Sequence, residues 1–465
     1  MGLPHQFPET VLDDARRQAD AFKEDHLAGR TDLSAETIIT IDPADARDFD
    51  DAISLSKSDD GHWHLGVHIA DVAHFVPPAS PLDQEARKRG TSVYLPRHVI
   101  PMLPELISNG LASLQQGQLR YTKTAFIEFD SAGSVVGTDV ANTAIKVTRR
   151  FAYEDVMPIL KNPRQQVPGV TAKVRHLLEH MYELAMLLRR RRFANGALQM
   201  GIPEVAIDFD KDGQVIGAHE RHHDESHEII EEFMLAANVA VARLLGSRNL
   251  PFLRRTHGDP DELKMKNFQS FCLGLGLTLL KPQSRTELQA VIHGVEGKPE
   301  QRAVNFGLLR SMKQAEYSPD DMGHYALAEE DYCHFTSPIR RYPDLTVHRL
   351  TRVGGETSAR EQIEIFEDRL LAHVLAGDGT FGRRHVTRHH RRQHHVVALE
   401  EAIAQLDALA PADASARLVS LLGQVEDASR VDAARPLARA LAGRGFRVLP
   451  EGSGGRWDEL LAQAG

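Results

Sequence analysis

Five aspartates fall between positions 42 and 51, at 42, 45, 48, 50 and 51, wedged between a β-branched run and an alternating apolar stretch. Ile38, Ile39, Thr40 and Ile41 read as a short buried strand. Pro43 blocks its regular continuation directly after Asp42, so the chain turns and carries the later carboxylates back towards Asp42. Residues 52–56 and 64–69 then flank the turn Asp59-Asp60-Gly61, an antiparallel hairpin signal. The carboxylates therefore belong to the end of a sheet.

Carboxylates held this close repel, and each raises its neighbours' pKa unless a cation neutralises them. A hard divalent ion does so. Magnesium is commonly held by one or two carboxylates, keeps several waters and takes substrate phosphate oxygens as further ligands. A calcium loop of the EF-hand kind is excluded by spacing: counted from Asp42, positions three and five are Ala44 and Ala46, and the obligatory glycine is Arg47. On this local pattern alone, a solvated acidic turn is the equal alternative.

The remaining chain supplies the context. Its 465 residues suit one large domain with a satellite, and 42 % hydrophobic with 26 % charged residues is a globular balance. A net charge of −10 argues against a surface coated in positive charge for indiscriminate nucleic-acid binding, though not against a local basic channel. Cys272 and Cys333 stand far apart without zinc spacing, so neither a disulfide framework nor structural zinc is expected, and a reducing cytoplasm fits. No secretory leader or membrane-length apolar run is expected.

Residues 1–36 read as a polar arm with a short helix over 10–22. Further strands are expected at 126–129 and 135–136 around a turn at 130–133. Long amphipathic helices are expected over 173–193 and 226–245. The fold class is α+β, with strands early and helices later. From 399 onward, helical periodicity followed by Phe446 to Leu449 and a glycine-rich end reads as a small helical module of winged-helix character.

The acidic segment resembles the catalytic motif of the ribonuclease II and ribonuclease R exoribonucleases, the RNB family. Four further regions agree in order: residues 67–76, 94–114, 227–238 and, most specifically, His334-Phe335-Thr336-Ser337-Pro338-Ile339-Arg340-Arg341-Tyr342-Pro343-Asp344. The resemblance runs from about 37 to 349 and implies a catalytic domain, taken here as 37–398. It implies that Asp42, Asp48, Asp50 and Asp51 organise magnesium, with manganese as a substitute, Asp42 and Asp51 being the firmest ligands. It implies 3′ to 5′ hydrolysis of single-stranded RNA ends to nucleoside 5′-monophosphates, through a metal-activated water in line with the departing 3′ oxygen.

Catalytic roles follow for Asp48 and Asp50, the latter the least replaceable, and for Arg340 at the scissile phosphate. Arg341, Tyr342 and Asp344 read as structural. Tyr94 matches an aromatic that stacks on a base, and Tyr153 a residue near the ribose that distinguishes RNA from DNA. Phe252 is the candidate for a second stacking ring, with core packing the equal alternative.

The family also carries flanking OB-fold RNA-binding domains. Residues 1–36 are too few for one and the tail reads as helical, so an atypical member lacking both is expected. Arg384, Arg388 and Arg391 share a helical face that suits RNA backbone contact. His390 and His394 have i, i+4 metal spacing but no nearby acidic third ligand. The rival readings are a non-catalytic RNA-binding protein that retains the fold and a DNA exonuclease.

Overall fold

A computed structural model of the chain describes residues 5–351, apart from 24–26, 28, 96, 163 and 221–222. The C-terminal module, with Arg384, Arg388, Arg391, His390 and His394, lies outside the described residues.

A seven-stranded mixed sheet organises the domain. Its strands are β1 (Thr31–Asp32), β2 (Ile39–Asp42), β3 (Asp51–Lys57), β4 (Trp63–Ala70), β7 (Leu119–Phe129), β8 (Val135–Lys146) and β9 (Arg149–Ala152), in the order β1-β8-β7-β4-β3-β2-β9. Between them in sequence, β5 (Val93–Leu95) and β6 (His98–Ile100) form a separate antiparallel hairpin. The expected strands at 38–41, 52–56, 64–69, 126–129 and 135–136 are all present, the last pair running longer. Both sheet edges are parallel pairs, β1 with β8 and β2 with β9, and the rest is antiparallel.

Alternation along β4 decides which face is apolar. Trp63, Leu65, Val67 and Ile69 point to the side covered by α5 (Ala172–Ala194) and α6 (Glu225–Ser247), where Leu178, Met181, Ile229 and Phe233 complete the core. The two helices match the expected 173–193 and 226–245. On the opposite face the middle strands bury polar groups instead. His68 bonds Ser54 Oγ (2.9 Å) and Thr124 Oγ1 (2.8 Å), and Thr143 Oγ1 lies 2.6 Å from Thr124 and from Thr122. A Cβ at position 66 would crowd Ser54 Oγ and the His68 ring, so the bare Gly66 leaves room for this bonded pair.

The described parts of the arm, its helix and β1, are built into the domain. Its helix α1 (Glu9–Ala21) packs on α3 (Pro81–Arg89), and β1 extends the sheet. The short helix α2 (Val72–Phe75) and α10 (Tyr342–Leu350) pack on one another and feed the same second core. α4 (Tyr153–Lys161) follows β9, and hairpin β10 (Val205–Phe209) and β11 (Val215–Glu220) precedes α6. A third core joins α7 (Glu262–Gly274), α8 (Arg285–Gly294) and α9 (Gln301–Ser311), bracketed by the pair β12 (Arg254–Thr256) and β13 (Glu316–Ser318). Cys272 and Cys333 are separate buried thiols. No described helix is long and apolar enough to cross a membrane.

Candidate active site

β2 and β3 share the single register pair Ile39 with Ile53 and then part, and residues 43–50 fill the gap. Asp42 is the last residue of β2 and Asp51 the first of β3, so adjacent strand ends present the two carboxylates. The intervening loop is pinned from three sides. Ser113 Oγ donates to Arg47 O (2.7 Å) and accepts from Phe49 N (3.1 Å), Leu114 N donates to Phe49 O (3.0 Å), and Ala70 N donates to Asp50 O (2.8 Å). Ser113 follows a π-helical turn at Leu106–Leu111, within the region that resembles the family.

The guanidinium of Arg150 donates to Pro43 O (2.8 Å) and Ala44 O (2.9 Å). Its positive charge also favours the ionised form of Asp42. Sequence reading missed Arg150. Its position is set by the parallel pairing of β2 with β9, where Thr40 faces Arg150 and Asp42 faces Ala152, and no local pattern announces a pairing of strands so far apart.

The carboxylates divide into two kinds. Asp50 is 1 % exposed, and both of its oxygens accept hydrogen bonds: Oδ1 from Ile339 N (3.0 Å), Oδ2 from Arg340 Nε (2.9 Å). Burial pushes its pKa up to about 7, against the pull of Arg340 and the Ile339 N–H. Asp42, at 9 % exposure, is pushed well above the carboxylate range, first by burial and then by Asp51, and its Oδ2 has no hydrogen-bond partner among the described residues. Asp51 is pushed up to about 6 by burial, with Arg340 opposing. Asp48 stands at the rim and accepts the Tyr94 hydroxyl at 2.9 Å.

Two desolvated carboxylates that repel across adjacent strand ends, one with an unsatisfied buried oxygen, are a donor set for a hard cation. No group of three or more His, Cys, Asp or Glu side chains among the described residues has the arrangement of a metal cage. The two carboxylates fit a hard divalent ion that draws its other ligands from water and phosphate.

Arg340 follows the turn after Pro338, where the backbone N–H groups of Arg340 and Arg341 donate to Ser337 O (3.1 and 3.0 Å). Its Nη2 donates to Ser337 Oγ (2.9 Å), and its backbone oxygen accepts from Ser92 N (2.9 Å) and Thr91 Oγ1 (3.0 Å). That contact joins the arginine to the strand leading into Tyr94. Tyr94 is 54 % exposed on hairpin β5–β6. The structural reading of its neighbours holds: Arg341 grips Asp344 through two bonds (2.9 and 2.7 Å), and buried Tyr342 donates to Asp83 (2.8 Å).

Tyr153, the first residue of α4, comes directly after Ala152 and so stands beside Asp42. Its phenol ionises less readily than usual because of burial and then of Asp51 and Asp42. Phe252 is not part of this constellation. It is 3 % exposed in the core beneath α5 and α6, with the Arg254 guanidinium 4.5 Å from its ring centre. The core alternative holds for Phe252, because a ring enclosed on its faces offers nothing to a base.

Comparison with known proteins follows the same outline. The RNB domain family matches residues 30–353. The ribonuclease R of Thermotoga maritima is 42 % identical over 370 residues, 78 % of this chain and 52 % of that protein. That of Escherichia coli is 37 % identical over 350 residues, 75 % of this chain and 43 % of that protein. The chain thus spans about half the length of the curated relatives it matches. Among solved structures, Mycoplasma genitalium RNase R in complex with ribose methylated single-stranded RNA superposes with a TM-score of 0.73 at 28 % identity, over 78 % of this chain and 58 % of that one.

Proposed function

Because the chain belongs to the RNB family, we propose that it is a magnesium-dependent 3′ to 5′ exoribonuclease that shortens single-stranded RNA to nucleoside 5′-monophosphates. The observation that carries the reading is the pairing of two kinds of acid: Asp42 and Asp51 desolvated together at adjacent strand ends, and Asp50 committed to Arg340.

Asp42 and Asp51 hold the ion, Asp48 joins them from the rim, and manganese substitutes. When bound, the divalent ion activates water as the nucleophile and neutralises charge on the phosphate. Arg340, aimed by Asp50 and Ser337, meets the phosphate oxygens with its remaining N–H groups and stabilises the charge that builds in the transition state. This narrows Asp50 from metal ligand to the group that orients Arg340. Tyr94 stacks on a base without asking for sequence, and Tyr153 reads the ribose. Arg384, Arg388 and Arg391 supply RNA backbone contact. The setting is the cytoplasm, where two buried unpaired thiols are stable.

The test is incubation of the full chain with end-labelled RNA and DNA of equal sequence, with magnesium, with manganese and with chelator. Magnesium-dependent release of 5′-monophosphates from RNA alone is expected. Binding without release would make the chain a non-catalytic RNA binder, and equal release from DNA would make it a general exonuclease.

A further inference from the structure

Tyr153 carries a hydroxyl that makes no hydrogen bond among the described residues, beside Asp42 and Asp51. A ring with a free polar edge must be held in one plane if that edge is to select a sugar. The plane has a visible cause. The imidazole of His227 lies flat on the Tyr153 ring, with centroids 4.0 Å apart and planes inclined by 9°.

His227 is itself anchored. It sits in the first turn of α6, and its Nδ1 lies 3.3 Å from Asp224 Oδ1 and 3.4 Å from the Asp224 backbone nitrogen. Asp224 caps that helix by accepting from Ser226 N at 3.0 Å. The next turn of α6 puts Ile229, Ile230 and Phe233 into the core. On the outer side, the His223 ring stands 4.6 Å from His227 at 49°, its Nε2 3.2 Å from Glu204. A row of three rings therefore runs from the capped end of a 23-residue helix to the acid cluster, ending on Tyr153.

We propose that His227 is the positioning residue for sugar discrimination: its ring face fixes the plane of Tyr153 so that the phenol hydroxyl meets the ribose 2′-hydroxyl. This rests on the exoribonuclease reading and on the ribose contact given to Tyr153. His227 touches neither substrate nor metal; it transmits the rigidity of α6 to the group that does. The 2′-hydroxyl both donates and accepts, and so does a phenol, which makes their mutual orientation the selective element.

The experiment compares kcat/KM for a labelled RNA with that for the same strand bearing one 2′-deoxynucleotide near its 3′ end. It is run on the wild type and on His227→Ala, His227→Asn, His227→Phe and Tyr153→Phe, with a melting curve for each. His227→Ala is expected to lower the preference for the all-RNA strand about three- to tenfold, the range that a ring-on-ring contact supports. His227→Asn, which keeps a polar atom for Asp224 but offers no ring, is expected to do the same and serves if the alanine variant does not fold. His227→Phe is expected to restore the preference to within about twofold. An unchanged preference in the alanine and asparagine variants, beside a lowered one in Tyr153→Phe, would overturn the positioning role alone. Failure of the phenylalanine variant to restore it would overturn the ring face as the cause. An unchanged preference in Tyr153→Phe would overturn the ribose contact and this inference with it.

Discussion

Replacing Asp50 by asparagine separates two jobs that a buried carboxylate can perform here. The side chain keeps its volume and its bond from Ile339 N–H, because an amide oxygen accepts as a carboxylate oxygen does. On the other side an amide NH2 then faces the Arg340 Nε–H, donor against donor, where a charge-assisted bond of 2.9 Å stood. Hydrogen bonds to charged groups contribute ~1.5 to 3 kcal/mol. With the Arg340 side chain 41 % exposed, solvent screens part of this, and the lower half of the range applies. If Arg340 acts in the transition state, ~1.5 to 2 kcal/mol is a loss of roughly 10- to 30-fold in kcat. Mononucleotide release and RNA binding by fluorescence anisotropy are measured on Asp50→Asn, Arg340→Gln and the double variant. The double variant should be no slower than Arg340→Gln, since the aspartate acts through the arginine. The magnesium concentration for half-maximal rate should stay within about threefold of wild type, a change of no more than ~0.7 kcal/mol in ligand affinity. Additive losses, or a large rise in the magnesium requirement, would make Asp50 a metal ligand and refute the reasoning.

Tyr94→Ala should raise KM about 5-fold or more with a smaller change in kcat, since one stacked base contributes ~1 to 3 kcal/mol; steady-state kinetics on short RNA checks it. Burial lifts Asp50 to about 7 and Asp51 to about 6, above the ~4 of an unfolded carboxyl. The folded state then binds protons more tightly, so in chelator this cluster's contribution to stability falls as pH rises from ~4 to ~7. Melting curves should show that slope flattened in Asp51→Asn, and magnesium near pH ~7.5 should raise the wild-type Tm; indifference to magnesium would count against the site. Asp71 binds Arg30 at 2.6 Å with both side chains buried, and Lys123 and Arg30 hold its pKa down at about 2 against burial. Asp71→Asn should cost ~3 to 5 kcal/mol in urea unfolding, because it strands buried cations.

What could be read from residue order was what local chemistry determines. The strand at 38–41, the hairpin around Asp59 and Asp60 and the helices α5 and α6 follow from alternation and from helical periodicity, and the structure places them within a few residues. β1 was invisible because two residues carry no pattern, and its partner β8 lies more than a hundred residues on. Arg150 and His227 share that cause: each acts across a contact between elements remote in sequence. Phe252 failed for the opposite reason, since an aromatic residue beside basic ones looks the same whether it faces RNA or the core. The four aspartates were legible as a group, yet the commitment of Asp50 to Arg340, apart from Asp42 and Asp51 at the strand ends, was not, because it depends on the Ile339 N–H and Arg340 arriving from elsewhere.

That arrival has a consequence for the making of the protein. The bonds from Ile339 and Arg340 to Asp50 span 289 and 290 residues. A ribosome adding ~5 to 20 residues per second leaves roughly 15 to 60 seconds between the two halves of this contact. Throughout that interval the nascent chain holds Asp50 without the Ile339 N–H and the Arg340 guanidinium. The Asp50 to Arg340 pairing therefore closes only after most of the chain has been made, long after the acid loop itself.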